Sequence, residues 1–82
     1  MEIDSNILLD IARKQEGATS DNQLAIKWEM KRSYISDIRN NRKSLPMKRV
    51  VQIAANDDHI DQTEAKRAIA RERAERRIMN IM

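Results

Sequence analysis

Apolar residues recur every three to four positions along most of this chain, the spacing of helices that bury one face. Ile7, Leu8, Ile11 and Ala12 mark the first stripe, opened by Asp4 or Ser5 as N-cap and closed by Gly17. Ser20, with Gln23 three residues on, has the form of a capping box and starts a second helix that runs to about Trp28. A third helix begins near Lys31 or Arg32, carries Ile35 and Ile38 at i, i+3, and ends near Asn40, where Asn40 and Asn41 stop it. Pro46 suits the first turn of a fourth helix, whose apolar side is Val50, Val51, Ile53 and Ala54. Residues 56–59 form a polar turn, after which Ile60 tucks back toward the core. From about Asp61 to Met82 one long helix rich in Ala, Arg and Glu completes the chain. The pattern predicts an all-α fold of four to five helices, with a domain over 1–60 and a charged C-terminal helix over 61–82.

That last helix lacks a coiled-coil seam, because the heptad series from Ala65 reads Ala65, Ile69, Glu72, Arg76, Met79. Glu72 with Arg76 and Arg71 with Glu75 are i, i+4 pairs, each adding about 0.2–0.5 kcal/mol to the helix. Its end is apolar at Ile78, Met79, Ile81 and Met82. Such an end either packs back on the domain or meets a second subunit, and these four residues are the candidate dimer contact.

Composition narrows the function. The chain has 82 residues, enough for one core. It has no cysteine and a single histidine, His59, which removes disulfides, thiolate metal sites and the commonest zinc arrangements. Phe is absent, and Trp28 and Tyr34 are the only aromatics, which disfavours a β-sandwich or barrel. No apolar run has the length of a membrane span or a signal segment, so a soluble cytoplasmic protein is expected. Gly17 is the only glycine, so no Gly-rich phosphate loop exists. The one histidine lies in an acidic turn away from any obvious nucleophile, and an enzyme is not expected. Asp57, Asp58, His59 and Asp61 read as a solvated turn rather than a metal site, and neither a cofactor nor a small-molecule ligand is expected.

Charge is unevenly spread. The net charge is +3, yet residues 24–50 carry eight Lys and Arg against Glu29 and Asp37, while residues 1–23 and 51–63 are each net acidic. The C-terminal helix is again basic. A basic segment between acidic flanks attracts phosphate while limiting indiscriminate binding.

Within that basic segment, Leu24, Ala25, Trp28, Met30, Ile35 and Ile38 fall where two short helices meeting at a sharp corner need apolar or small residues. Ala25 is small where the helix backbones must approach. The stretch 24–46 resembles the helix-turn-helix of the phage repressor and Cro family, and the resemblance extends over about 7–60. It rests on Leu24-Ala25, Met30 in the turn, Ile35-Ser36, the loop Asn40-Asn41-Arg42-Lys43 and Pro46. Three positions depart from the family: Glu29 stands where Gly is usual in the turn, Asn41 where Gly is usual in the loop, and Asp21 where Gln is frequent. Asn also visits positive φ, and Asp21 weakens the implied phosphate contact there.

A helix-turn-helix places the N-terminal residues of its second helix at base edges in the major groove. The candidate base-reading residues are Lys31, Arg32, Ser33, Tyr34, Ser36 and Asp37. Arg32 has the fork to bind guanine O6 and N7, and Ser33 suits several bases. Asp37 either accepts from a cytosine amino group or pairs with Arg32 or Lys31 along the helix. Tyr34 either reaches the DNA backbone or packs over the turn. Candidate phosphate contacts are Ser20 and Asn22 at a helix N-terminus, Asn40, Arg42 and Lys43 in the loop, and Lys48. The expected function is a sequence-specific double-stranded-DNA-binding transcriptional regulator, a homodimer that represses by covering a promoter. The rivals are an antitoxin with the same fold, whose basic tail contacts a toxin, and a phage assembly adaptor that binds protein rather than DNA.

Overall fold

The computed structural model describes residues 2–81, with side chains described as far as Ile78. Five helices follow one another: α1 (Ser5–Glu16), α2 (Asp21–Lys27), α3 (Arg32–Arg39), α4 (Met47–Ala55) and α5 (Gln62–Ile81). No strand occurs among the described residues, and α5 is the longest helix.

Asp4 is the cap of α1, its carboxylate accepting from the Ile7 N–H at 2.8 Å. That leaves the Ser5 hydroxyl free for long-range bonds. The buried face of α1 is Ser5, Leu8, Leu9 and Ala12. The expected stripe is therefore shifted: Ile7 and Ile11 are only half-buried, and Leu9 takes the central place. Two adjacent leucines between flanking isoleucines leave the phase ambiguous, and packing against several elements selects it. Gly17 closes the helix at φ 66°, with the Ala18 N–H returning to the Arg13 carbonyl at 2.8 Å.

Ser20 caps α2 through the Gln23 N–H at 3.1 Å, while the Gln23 side chain accepts from the Thr19 N–H at 2.8 Å. The box thus reaches one residue further back than the usual form. Helix α2 ends at Lys27, and Trp28 to Lys31 make the turn into α3. In it Glu29 adopts φ 55°, and the Met30 N–H donates to the Ala25 carbonyl at 2.9 Å. Leu24 and Ala25 from α2, Trp28, and Ile35 and Ile38 from α3 are all buried.

Pro46 stands just before α4 as its N-cap, with φ −58° and an extended ψ of 140°. Val50, Ile53 and Ala54 face the core, and Val51 is half-buried. The turn after α4 is tied by the His59 N–H donating to Asp57 at 2.8 Å, and Ile60 is buried. Helix α5 packs on α4. Its Ala65 and Ile69 belong to the same core cluster as Leu8, Leu24 and Ile38. One face of the first half of α5 thereby closes the domain's own core. Of its two i, i+4 pairs, Glu72 and Arg76 meet at 3.4 Å. Arg71 and Glu75 form no ion pair among the described residues.

Candidate nucleic-acid interface

Ile35 and Ile38 fix one side of α3 in the core, so the opposite side faces outward by helical periodicity. Lys31, Arg32, Ser33 and Ser36 are exposed there. Lys31, Arg32 and Lys48 enter no ion pair among the described residues, so their charges remain available to a ligand. No side chain caps the N-terminus of α3. Lys31, Ser33, Tyr34, Met30 and Lys43 line one open cleft of about 340 Å³. It joins the start of α3 to the loop that follows the helix.

Asp37 and Tyr34 organise that loop. The Asp37 carbonyl accepts from the backbone N–H groups of Arg42 at 2.8 Å and Lys43 at 3.3 Å. Its carboxylate lies 3.6 Å from the Arg42 guanidinium and 3.7 Å from the Lys43 ammonium. The partners of Asp37 are thus the loop cations, not Arg32 or Lys31. Tyr34 is half-buried, with the Lys43 ammonium 4.9 Å from its ring centre, within cation–π range. Asn41 takes φ 61°, the left-handed conformation expected of the loop. The Asn40 amide turns back to the Ser36 carbonyl at 2.9 Å. Arg42 and Lys43 remain exposed despite their pairing.

Ser20 and Asn22 lie at the start of α2, where the Ser20 oxygen is used as the cap and Asn22 is exposed. Beside them Asp21 is bound by Arg39, a residue that motif reasoning passed over. Arg39 donates to both Asp21 oxygens at 2.9 and 3.0 Å, to Asp10 at 2.8 Å, and to the Asn6 carbonyl and side chain at 3.2 Å. One guanidinium therefore ties α1, α2 and the end of α3 together. Hydrogen bonding from Arg39 lowers the Asp21 pKa below its ordinary value, against a smaller opposing effect of burial. The same bonds raise Arg39.

A second polar centre was also missed. Ser5 and Ser44 are buried, and both hydroxyls donate to one oxygen of Glu72 on α5. The Ser5 N–H donates to the other Glu72 oxygen at 3.0 Å, and the Ser5 oxygen accepts from the Leu45 N–H at 3.1 Å. Burial alone pushes the Glu72 carboxyl up, but the bonds from Ser44 and Ser5 and the charge of Arg76 outweigh it and hold the pKa low. Ser5 shares the phase of Leu8, Leu9 and Ala12, but Ile7 and Ile11 leave that phase ambiguous in the sequence, and no local pattern points to Glu72.

Of the four candidate dimer residues, Ile78 is described and 58% exposed. The side chains of Met79 and Ile81, and all of Met82, lie outside the described residues. Ile26 on α2 is a further exposed apolar residue, at 68%. No helix among the described residues is long and apolar enough to cross a membrane. Comparison of the chain with protein-family models, curated proteins and solved structures finds no match.

Proposed function

We propose that this chain is a sequence-specific double-stranded-DNA-binding protein of the helix-turn-helix kind, acting as a transcriptional regulator that represses by covering a promoter. One observation carries the reading. Lys31, Ser33 and Tyr34 at the start of an exposed helix share a cleft with Lys43 of the following loop, which is where base-reading and backbone-contacting groups must adjoin. Arg32 and Lys31, which enter no ion pair among the described residues, support it, as do the basic character of residues 24–50 and the resemblance of residues 24–46 to the phage repressor and Cro family. In this reading α3 enters the major groove. Arg32, Lys31, Ser33 and Ser36 meet base edges, and Asp37 and Tyr34 hold Arg42 and Lys43 against phosphates. Asn22, Ser20, Asn40 and Lys48 add backbone contacts. Two copies related by a two-fold axis bind half-sites of one operator.

The test is selection of bound sequences from a random duplex library, followed by titration of two variants. Arg32→Ala costs about 1–3 kcal/mol on the selected site and relaxes preference at one base pair. Arg42→Ala weakens selected and random duplex alike and makes the salt dependence shallower by about one unit. Identical sequence profiles for the two variants would overturn the division of roles, and recovery of no enriched sequence would overturn the function.

A further inference from the structure

Arg42 and Lys43 belong to a stretch, 40–46, with no regular secondary structure. Such a segment holds one shape only if its polar backbone groups find fixed partners. Part of the hold comes from α3, through the Asp37 carbonyl and carboxylate. The rest comes from α5. Arg76 donates its Nε to the Asn41 carbonyl at 2.8 Å and an Nη1 hydrogen to the Ser44 hydroxyl oxygen at 2.7 Å. Arg73 donates to the Leu45 carbonyl at 2.8 Å. Glu72 accepts from Ser44 and, through Ser5, is linked to the Leu45 N–H. The fully buried Leu45 side chain pins the same point into the core. These grips fall on either side of Arg42 and Lys43, at Asn41 before them and at Ser44 and Leu45 after them.

We propose that Arg76, supported by Glu72 and Arg73, is a positioning residue for DNA binding: α5 holds residues 41–45 in the shape that presents Arg42 and Lys43 to the phosphate backbone. The inference rests on the DNA-binding reading above. A loop ordered in advance loses less freedom when it meets the duplex, so the effect of α5 is preorganisation rather than contact. The fork of the guanidinium is essential to it. Its Nε and Nη1 donors hold Asn41 and Ser44 at the same time, which a lysine ammonium on a single flexible stem does not reproduce.

That last difference supplies the experiment. Full-length protein is titrated with a random-sequence duplex over a range of salt for wild type, Arg76→Ala and Arg76→Lys, and for each again in an Arg42→Ala/Lys43→Ala background. Backbone amide exchange is measured without DNA, which also shows that each variant is folded. Arg76→Ala and Arg76→Lys both weaken duplex binding by about tenfold and make the salt slope shallower by about one to two units. Neither has a further effect once Arg42 and Lys43 are gone. The amides of Arg42, Lys43 and Leu45 exchange faster in both, while those of α1 and α4 keep their protection. Wild-type affinity in Arg76→Lys would mean that charge alone matters, and an undiminished loss in the Arg42→Ala/Lys43→Ala background would mean that Arg76 acts apart from the loop; either overturns the proposal. A wild-type chain that binds no duplex overturns the DNA-binding reading itself, an outcome distinct from wild-type binding with unaffected variants.

Discussion

Glu29 sits at φ 55° in the turn between α2 and α3, where an L side chain crowds the following carbonyl at a cost of about 1–2 kcal/mol. Its side chain is exposed and makes no hydrogen bond or ion pair among the described residues. Glu29→Gly removes the strain and adds freedom to the unfolded chain worth about 0.5–1 kcal/mol in the opposite sense. The expected net is a stabilisation of about 0.5–1 kcal/mol, seen as a melting temperature a few degrees higher. A lowered melting temperature would mean that Glu29 has a stabilising partner that outweighs its strain. Asn41→Gly gains less, because Asn tolerates the left-handed region better. Both positions stood out in the sequence as places where glycine is usual in the family the segment resembles. Ser5, Ser44 and Arg39 were not. Each is an ordinary polar residue whose importance arises from partners 18 to 67 positions away, and local pattern carries no information at that range.

At the scale of elements, two carboxylates join helices that sequence treats separately. Asp21 links α2 to α3 through Arg39, with Asp10 sharing the guanidinium and Arg13 lying 3.7 Å from Asp21. Glu72 links α5 to the start of α1 through Ser5 and to the loop before α4 through Ser44, with Arg76 beside it on the same helix. Both pKa values are lowered by folding. A depressed carboxylate contributes stability that is fully present above its unfolded pKa and is lost as pH falls through that value toward the folded one. Acid should therefore begin to weaken the fold below about pH 4.5, the ordinary value for Glu, with Asp21 following from 3.8. Thermal melts from pH 7 to 3 check this. Asp21→Asn and Glu72→Gln are each less stable than wild type at pH 7 and show a flatter acid limb, whereas an acid limb as steep as wild type in both would place the titrating groups elsewhere. The helices themselves were legible because caps and stops are local: Asp4, Gly17 and Ser20 do what their residue types favour. The phase of α1 was not, since Ile7, Leu8, Leu9 and Ile11 offer two overlapping stripes. The docking of α5 was also hidden, because its sequence is charged all round and, among the described residues, only Ala65 and Ile69 of this helix are buried in the core.

For the whole molecule, the proposed function sets a requirement that one copy does not meet. A single recognition helix reads only a few base pairs, too few to single out a site among about 10⁶–10⁹ competitors. Two copies on a two-fold axis, with half-sites about 34 Å apart, satisfy it. The structure restricts which surface can join them. The face of α5 that carries Ala65, Ile69, Glu72 and Arg76 is occupied by the chain's own core and loop, so among the described residues a tail-mediated dimer has the outer face and the exposed Ile78 to use. Ile26 on α2 offers a rival, being at least as exposed. A charge placed at the joining residue must be desolvated by association, which breaks the contact while leaving an already exposed position in the monomer unharmed. Ile78→Glu and Ile26→Glu separate the two surfaces. Sedimentation mass is measured free and on a duplex with two spaced half-sites. Ile78→Glu is expected to shift the free protein toward monomer and to abolish cooperative occupation of the second half-site, with Ile26→Glu unchanged. The reverse result moves the interface to α2, and dimers that survive both substitutions exclude both residues as the joint.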